Sequence, residues 1–155
     1  MSQPLQADDV RAMIAEFFGQ QMPFHQLIGL EIVSYQKDSV TLSIKMKPEL
    51  VGNTVHGILH GGVTATILDV AGGMVVFAGV LENMEIIEQQ SVFNRLQNLG
   101  TIDLRIDYLR PGRGEEFIAT AQVIRAGNKV AVARMELHNE QGDHIAFGTG
   151  TYMVG

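Results

Sequence analysis

Three patterns of apolar and polar positions divide the chain. Near the N-terminus Val10, Met13, Ile14, Phe17 and Phe18 fall at i, i+3, i+4, i+7 and i+8. That is one apolar stripe of a helix at about residues 8–19, with Asp8 or Asp9 as its cap and Gly19 as its stop. Residues 22–29 read as a further turn of helix closed by Gly29. Period two follows. Residues 30–35 make a strand, Lys37-Asp38-Ser39 a turn, and Val40, Leu42, Ile44 and Met46 alternate with Thr41, Ser43, Lys45 and Lys47. This is a half-buried hairpin that ends at Pro48. From Thr101 on, four more strands are expected at 101–109, 117–125, 130–139 and 144–154, in a meander joined by turns at 110–114, 126–129 and 140–143. Residues 82–100 carry a weaker signal: 85–88 suit strand or helix, and 91–99 suit helix up to Gly100.

The third pattern lies between the two β regions. A loop from Asn53 ends in His60-Gly61-Gly62 and runs into a long apolar stretch, residues 63–81, in which Asp69 is the only charge. A helix apolar on every side is expected to be buried on every side. A carboxylate there either pairs with a cation or is kept for a reaction, because desolvating it alone is costly. Six strands and one central helix in 155 residues imply a single α+β domain, a curved antiparallel sheet of five or six strands wrapped around the helix.

Composition narrows the function. The net charge is −6 and there is no basic run, which argues against nucleic acid or an anionic membrane as partner. The chain has no cysteine, hence no disulfide frame, zinc-thiolate site or cysteine nucleophile. That fits a reducing, cytoplasmic setting, and the N-terminus lacks the order of a signal peptide. The 63–81 stretch is of spanning length, but Asp69, two threonines and Gly72-Gly73 interrupt it, so a core helix is expected rather than a membrane span. No cluster has metal-ligand spacing along the chain, and no metal or cofactor is expected.

The start of the central helix is the candidate site. Backbone N–H groups at a helix start have no internal partner and carry the positive end of the dipole. Glycines allow an oxygen to approach them. This is the form of an oxyanion hole. Asp69 lies eight residues beyond Gly61, roughly 12 Å along a straight helix. One reacting carbon cannot lie about 3 Å from both. If both act, Asp69 of one copy must meet the glycine loop of another, as in a two-fold dimer.

The His60-Gly61-Gly62 triplet with Asp69 nine residues after the histidine resembles the hotdog-fold acyl-CoA thioesterases of the PaaI type. So do the run from Thr101 to Pro111, the hairpin Val123 to Lys129, and Phe147-Gly148-Thr149-Gly150-Thr151. The resemblance covers about residues 25–154. It implies hydrolysis of an acyl-CoA thioester by a homodimer or homotetramer, with Asp69 as nucleophile or general base. Gly61 N–H would polarise the carbonyl, His60 would hold the loop and Thr101 would help to place the water. Coenzyme A, as part of the substrate, would lie near Thr101, Asp103, Tyr108 and the hairpin of Arg125, Ala126, Gly127, Asn128, Lys129 and Val130, with Arg125 and Lys129 toward its phosphates. The family often has an Asn six residues before the histidine as a second oxyanion donor; here Asn53 is seven before and Thr54 holds the sixth place. The alternative is a hotdog protein that binds acyl-CoA without cleaving it; such a protein usually lacks the acid or carries a basic arm.

Overall fold

The computed structural model describes residues 4–155. Its order is α1 (Ala7–Glu16), a π-helical turn (Phe17–Gln21), α2 (Pro23–Ile28), β1 (Leu30–Tyr35), β2 (Val40–Lys45), β3 (Val51–Asn53), β4 (Ile58–Leu59), α3 (Gly61–Glu82), α4 (Gln89–Asn98), β5 (Gly100–Tyr108), β6 (Glu116–Ala126), β7 (Val130–Asn139) and β8 (His144–Met153). Six strands form one antiparallel sheet in the order β1-β2-β6-β7-β8-β5, and β3 pairs with β4 in a small hairpin. Helix α3 packs against all six strands of the large sheet. The alternation read from sequence puts Val40, Leu42 and Ile44, then Ala131, Ala133, Met135 and Leu137, into the core against Ile67, Leu68, Ala71 and Val75 of α3. This is the hotdog architecture.

Several expectations change. The last four strands are not a simple meander. β5 lies at the far edge beside β8, while β6 pairs with β2. Residues 110–114 therefore form a crossing connection rather than a tight turn. It runs past the start of α3, where Leu59 N–H donates to the Gly112 carbonyl at 2.8 Å. Asp8 and Asp9 do not cap α1 but sit in its first turn, and Gly19 does not stop the helix, which continues as the π turn to Gln21. Gly29 does close α2, in the left-handed region at φ 72°. Residues 85–88 are neither strand nor helix, and the following helix is Gln89–Asn98.

Helix α3 is not buried on every side. The sheet covers Thr64, Ile67, Leu68, Ala71, Gly72 and Val75, but Thr66, Asp69, Val70 and Gly73 on another face are half-buried. It is the one helix among the described residues long and apolar enough to cross a membrane, and its covered face is the core of this domain.

All three tyrosines of the chain donate to main-chain carbonyls of α3. Tyr108 bonds Gly61 at 2.6 Å, Tyr152 bonds Asp69 at 3.1 Å and Tyr35 bonds Met74 at 2.7 Å. The helix is thus pinned to β5, β8 and β1 at three heights. Gly72 makes room for one of these contacts: a Cβ there would lie 2.1 Å from the Tyr152 hydroxyl, and one at Gly150 would lie 2.5 Å from it. Burial first, then the adjacent Asp69 carboxylate, pushes the Tyr152 phenol up. Burial likewise pushes Tyr35 and Tyr108 up, with Arg11 opposing it at Tyr35. At the far end of α3 the buried Arg11 of α1 pairs with Glu82 and Asp8.

Candidate active site

His60 is the N-cap of α3 and serves as its hinge with the preceding loop. Its own N–H donates to the Leu50 carbonyl at 2.8 Å. Its Nδ1 accepts from Gly62 N–H at 2.8 Å, which requires the neutral ring with its proton on Nε2. Its carbonyl accepts from Val63 at 2.9 Å and Thr64 at 3.2 Å. Of the first four N–H groups of α3, three are thereby satisfied. Among the described residues, Gly61 N–H has no acceptor. A free donor at the positive end of a long helix is suited to a developing oxyanion.

Two glycines that the sequence reading passed over hold the loop in place. A Cβ at Gly52 would come within 2.7 Å of His60 Cα, and one at Gly112 within 2.7 Å of Leu59 Cβ. The β3–β4 hairpin and the β5–β6 crossing therefore press on the two sides of the HGG turn. Asn53 works in the same hairpin. Its Oδ1 accepts from Val55 N–H at 3.0 Å and His56 N–H at 3.3 Å, and its carbonyl from Gly57 N–H at 2.8 Å, so this side chain holds the 53–57 turn.

Asp69 sits on the half-buried face of α3. Its Oδ1 accepts from Thr101 Oγ1 at 2.9 Å, and no cation among the described residues pairs with it. Thr101 is set by a bulge in β5 between Thr101 and Asp103, opposite Tyr152 and Thr151 of β8. Bulges of this kind re-aim side chains. Here one bulge places a hydroxyl against the carboxylate, while the opposing tyrosine bonds the same residue's carbonyl. Tyr152 had no mark in the sequence beyond its strand position. The Gly72-Gly73 pair was the available signal, because paired glycines inside a helix weaken it unless something must approach closely.

The residues expected to act together fall into two groups. Gly61, His60 and Tyr108 gather at the start of α3. Asp69, Thr101 and Asp103 lie further along, and Val130, Met153 and Gly100 are side by side across β7, β8 and β5, so the 125–130 hairpin is at this same end. Thr101 and Tyr108 are more than about 20 Å apart along β5 at roughly 3.4 Å per residue. Gly61 and Asp69 belong to one unbroken helix, which keeps their separation at roughly 12 Å. Ala126, Gly127 and Asn128 form one wall of a groove of about 930 Å³ whose other wall is α4, with Asn94, Arg95 and Asn98. Arg125 and Lys129 flank that turn, exposed. Arg95, held by the Val154 carbonyl at 3.0 Å, is a cation at this groove that the sequence reading did not single out.

A separate cluster appears on the outer face of the sheet. Glu136, His138 and His144 offer ligand atoms all within 4.8 Å of one another, and the two imidazoles stack at 4.4 Å. The spacing along the chain hid it, because the cross-strand register brings His138 opposite His144. It is set apart from the Asp69 site.

A sheet wrapped around one helix, with an acid on that helix and a glycine-rich turn at its start, defines a hotdog protein. Residues 56–146 match the thioesterase superfamily, and the chain belongs to that family. It is 50% identical over 155 residues to "Medium/long-chain acyl-CoA thioesterase YigI" of Escherichia coli K12, covering 100% of both chains. It is 30% identical over 116 residues to "Acyl-coenzyme A thioesterase 13" of Mus musculus, covering 74% of this chain and 73% of that one. The crystal structure of a thioesterase-superfamily protein from Shewanella oneidensis superposes with a TM-score of 0.94 at 58% identity, over 99% of this chain and 100% of that chain.

Proposed function

We propose that this protein hydrolyses acyl-CoA thioesters to the free acid and coenzyme A, at a site built jointly by two copies of the chain. The observation that carries this reading is the state of Asp69: a half-buried carboxylate on an apolar helix, oriented by one hydroxyl and paired with no cation among the described residues. A structural ion pair is not what it serves. Its Oδ1 is engaged by Thr101, which leaves Oδ2 to supply the attack. As a base, Oδ2 takes a proton from water held beside Thr101 while the water oxygen bonds to the thioester carbon; as a nucleophile, Oδ2 bonds to that carbon itself. In both, the carbonyl oxygen gains negative charge against Gly61 N–H of the second copy. Collapse of the tetrahedral species breaks the C–S bond, and the thiolate leaves as coenzyme A; on the nucleophilic route water then cleaves the acyl–Asp69 anhydride, giving the free acid and restoring the carboxylate.

The distances within one chain support the sharing. The Asp69–Thr101 half and the Gly61–Tyr108 half of one chain are too far apart to meet on one carbon. The half-buried face of α3 that carries Asp69 is the face for a two-fold partner to cover. The identity to thioesterases named for medium and long acyl-CoA supports the substrate class. Coenzyme A is assigned to the side of Thr101, Asp103 and the 125–130 hairpin, with Arg125, Lys129 and the added Arg95 available to its phosphates.

The test is Asp69→Asn. It should lower kcat on acyl-CoA by roughly 10²–10⁴-fold, as for a lost general base, with coenzyme A binding kept. Stability should be unchanged or higher, since a carboxylate held for function costs stability. Loss of about 3–5 kcal/mol of stability, the mark of a broken buried pair, or turnover at the parent rate would defeat the assignment. Released thiol can be followed directly because the chain has no cysteine.

A further inference from the structure

Helix α4 has two unlike faces. Ser91, Asn94, Arg95 and Asn98 look across one groove toward the 126–128 turn. Val92, Phe93 and Leu96 look the other way, across a second groove of about 570 Å³, toward α1 and the π turn. Apart from Gln89 and Gln97, every side chain lining this second groove is apolar. The helical stripe seen in the N-terminal sequence is only half used in folding. Val10 and Ile14 are buried, but Met13 is 59% exposed and Phe17 46%, and Phe93 across the groove is 53% exposed. Large apolar side chains left in water on two facing helices mark a binding surface. The volume is that of a small-molecule pocket.

One wall residue of the groove, Leu99, lies close in sequence to the reacting centre. It packs against both hydrophobic clusters of the domain. Two residues on, roughly 7 Å along an extended chain, Thr101 donates to the Asp69 carboxylate. An acyl chain that left Asp69 past Leu99 would enter the apolar space between α1 and α4. On the opposite face of α4 the other groove mixes Asn94, Arg95 and Asn98 with Val80, Ile86 and Val154, so it lacks the continuous apolar lining of the α1–α4 groove.

We propose that the groove between α1 and α4 is the acyl-chain subsite, and that chain length is read by contacts along it. The proposal rests on the acyl-CoA reading of the Asp69 site. Each methylene that enters such a groove contributes up to about fourfold in kcat/KM or affinity. The preference should therefore climb with chain length until the groove is full.

The experiment compares the parent with Met13→Gln/Phe93→Gln, two substitutions at side chains more than half exposed and both uncharged, so that repulsion of coenzyme A plays no part. Binding of the non-hydrolysable thioethers S-butyl-CoA and S-dodecyl-CoA is measured by calorimetry, kcat/KM across C4 to C16 acyl-CoA, and the assembly by sedimentation. The parent should bind the dodecyl thioether more tightly than the butyl one, and the double variant should lose at least tenfold of that preference and flatten the climb in kcat/KM. Phe17→Gln should repeat the effect from the π turn. An undiminished preference, or an equal loss at every chain length, overturns the proposal. A variant that dissociates the parent assembly while keeping the preference shows the groove to be a contact between copies, which also overturns it. If the parent shows the binding preference and hydrolyses none of the esters, the hydrolase reading fails while the groove assignment stands.

Discussion

Gly61→Pro replaces the free N–H at the start of α3 with a ring carbon while leaving the bonds that hold the turn intact. Gly61 is the first residue of α3, the position where proline is tolerated best because its N–H has no helical partner. The preceding His60 already has the extended backbone that a following proline demands, φ −64° and ψ 132°. The Leu50, Gly62, Val63 and Thr64 bonds that hold the turn all involve other groups. The new Cβ would meet the Tyr108 ring at 3.4 Å, a close but adjustable contact. The fold should therefore keep its stability or gain about 0.4–1 kcal/mol from a stiffer unfolded chain. Turnover should not keep pace. Loss of one oxyanion donor costs roughly 10²–10³ in kcat, about 2.7–4 kcal/mol. Gly61→Ala is the matched control, since it adds the same Cβ against Tyr108 and keeps the N–H. Steady-state release of coenzyme A from a C12 substrate, with urea unfolding in parallel, measures both quantities. Gly61→Pro with kcat within a few-fold of Gly61→Ala would refute the role of this N–H.

Two further outcomes follow from the packing. Gly72→Ala should destabilise the protein by about 1–3 kcal/mol despite the better helix propensity of alanine, because the Tyr152 hydroxyl is 2.1 Å from the added carbon and is held there by its bond to the Asp69 carbonyl; denaturant midpoints check this. The raised phenol pKa values stabilise the fold below about pH 10, the unfolded value, and that contribution is lost as pH rises through the folded values. An absorbance titration should show Tyr35 and Tyr152 ionising only with alkaline unfolding, and Tyr108 before them; three tyrosines titrating reversibly near pH 10 in the folded chain would contradict the buried bonds to α3.

Local chemistry was readable along the chain. Period two marked β2 and β5, turn residues bounded the strands that became β6 to β8, Gly29 marked the end of α2, and one acid in an apolar helix marked Asp69. What required the folded chain was non-local. β5 alternates as a strand wherever it lies, so nothing in residues 101–109 says that it pairs with β8 rather than β6. The three tyrosines look alike in strands until α3 offers each a carbonyl. Helix α4 was weak in sequence because its two faces meet two different grooves, neither of them the main core. The stripe on α1 was plain, yet half of it stays uncovered, so it was legible as helix and not as a surface left open for a ligand.

On the proposed mechanism, Asp69 and Gly61 of different copies form one site. This is tested most directly by mixing two inactive variants, Asp69→Asn and Gly61→Pro, after dissociating and reassociating them together. In a mixed dimer the intact Asp69 of one chain meets the intact Gly61 of the other, so one of its two sites is whole. At a one-to-one ratio half of the dimers are mixed, and the account predicts recovery to about a quarter of parental activity for random pairing across a two-fold interface. A mixture no more active than the average of its two inactive parents would contradict it.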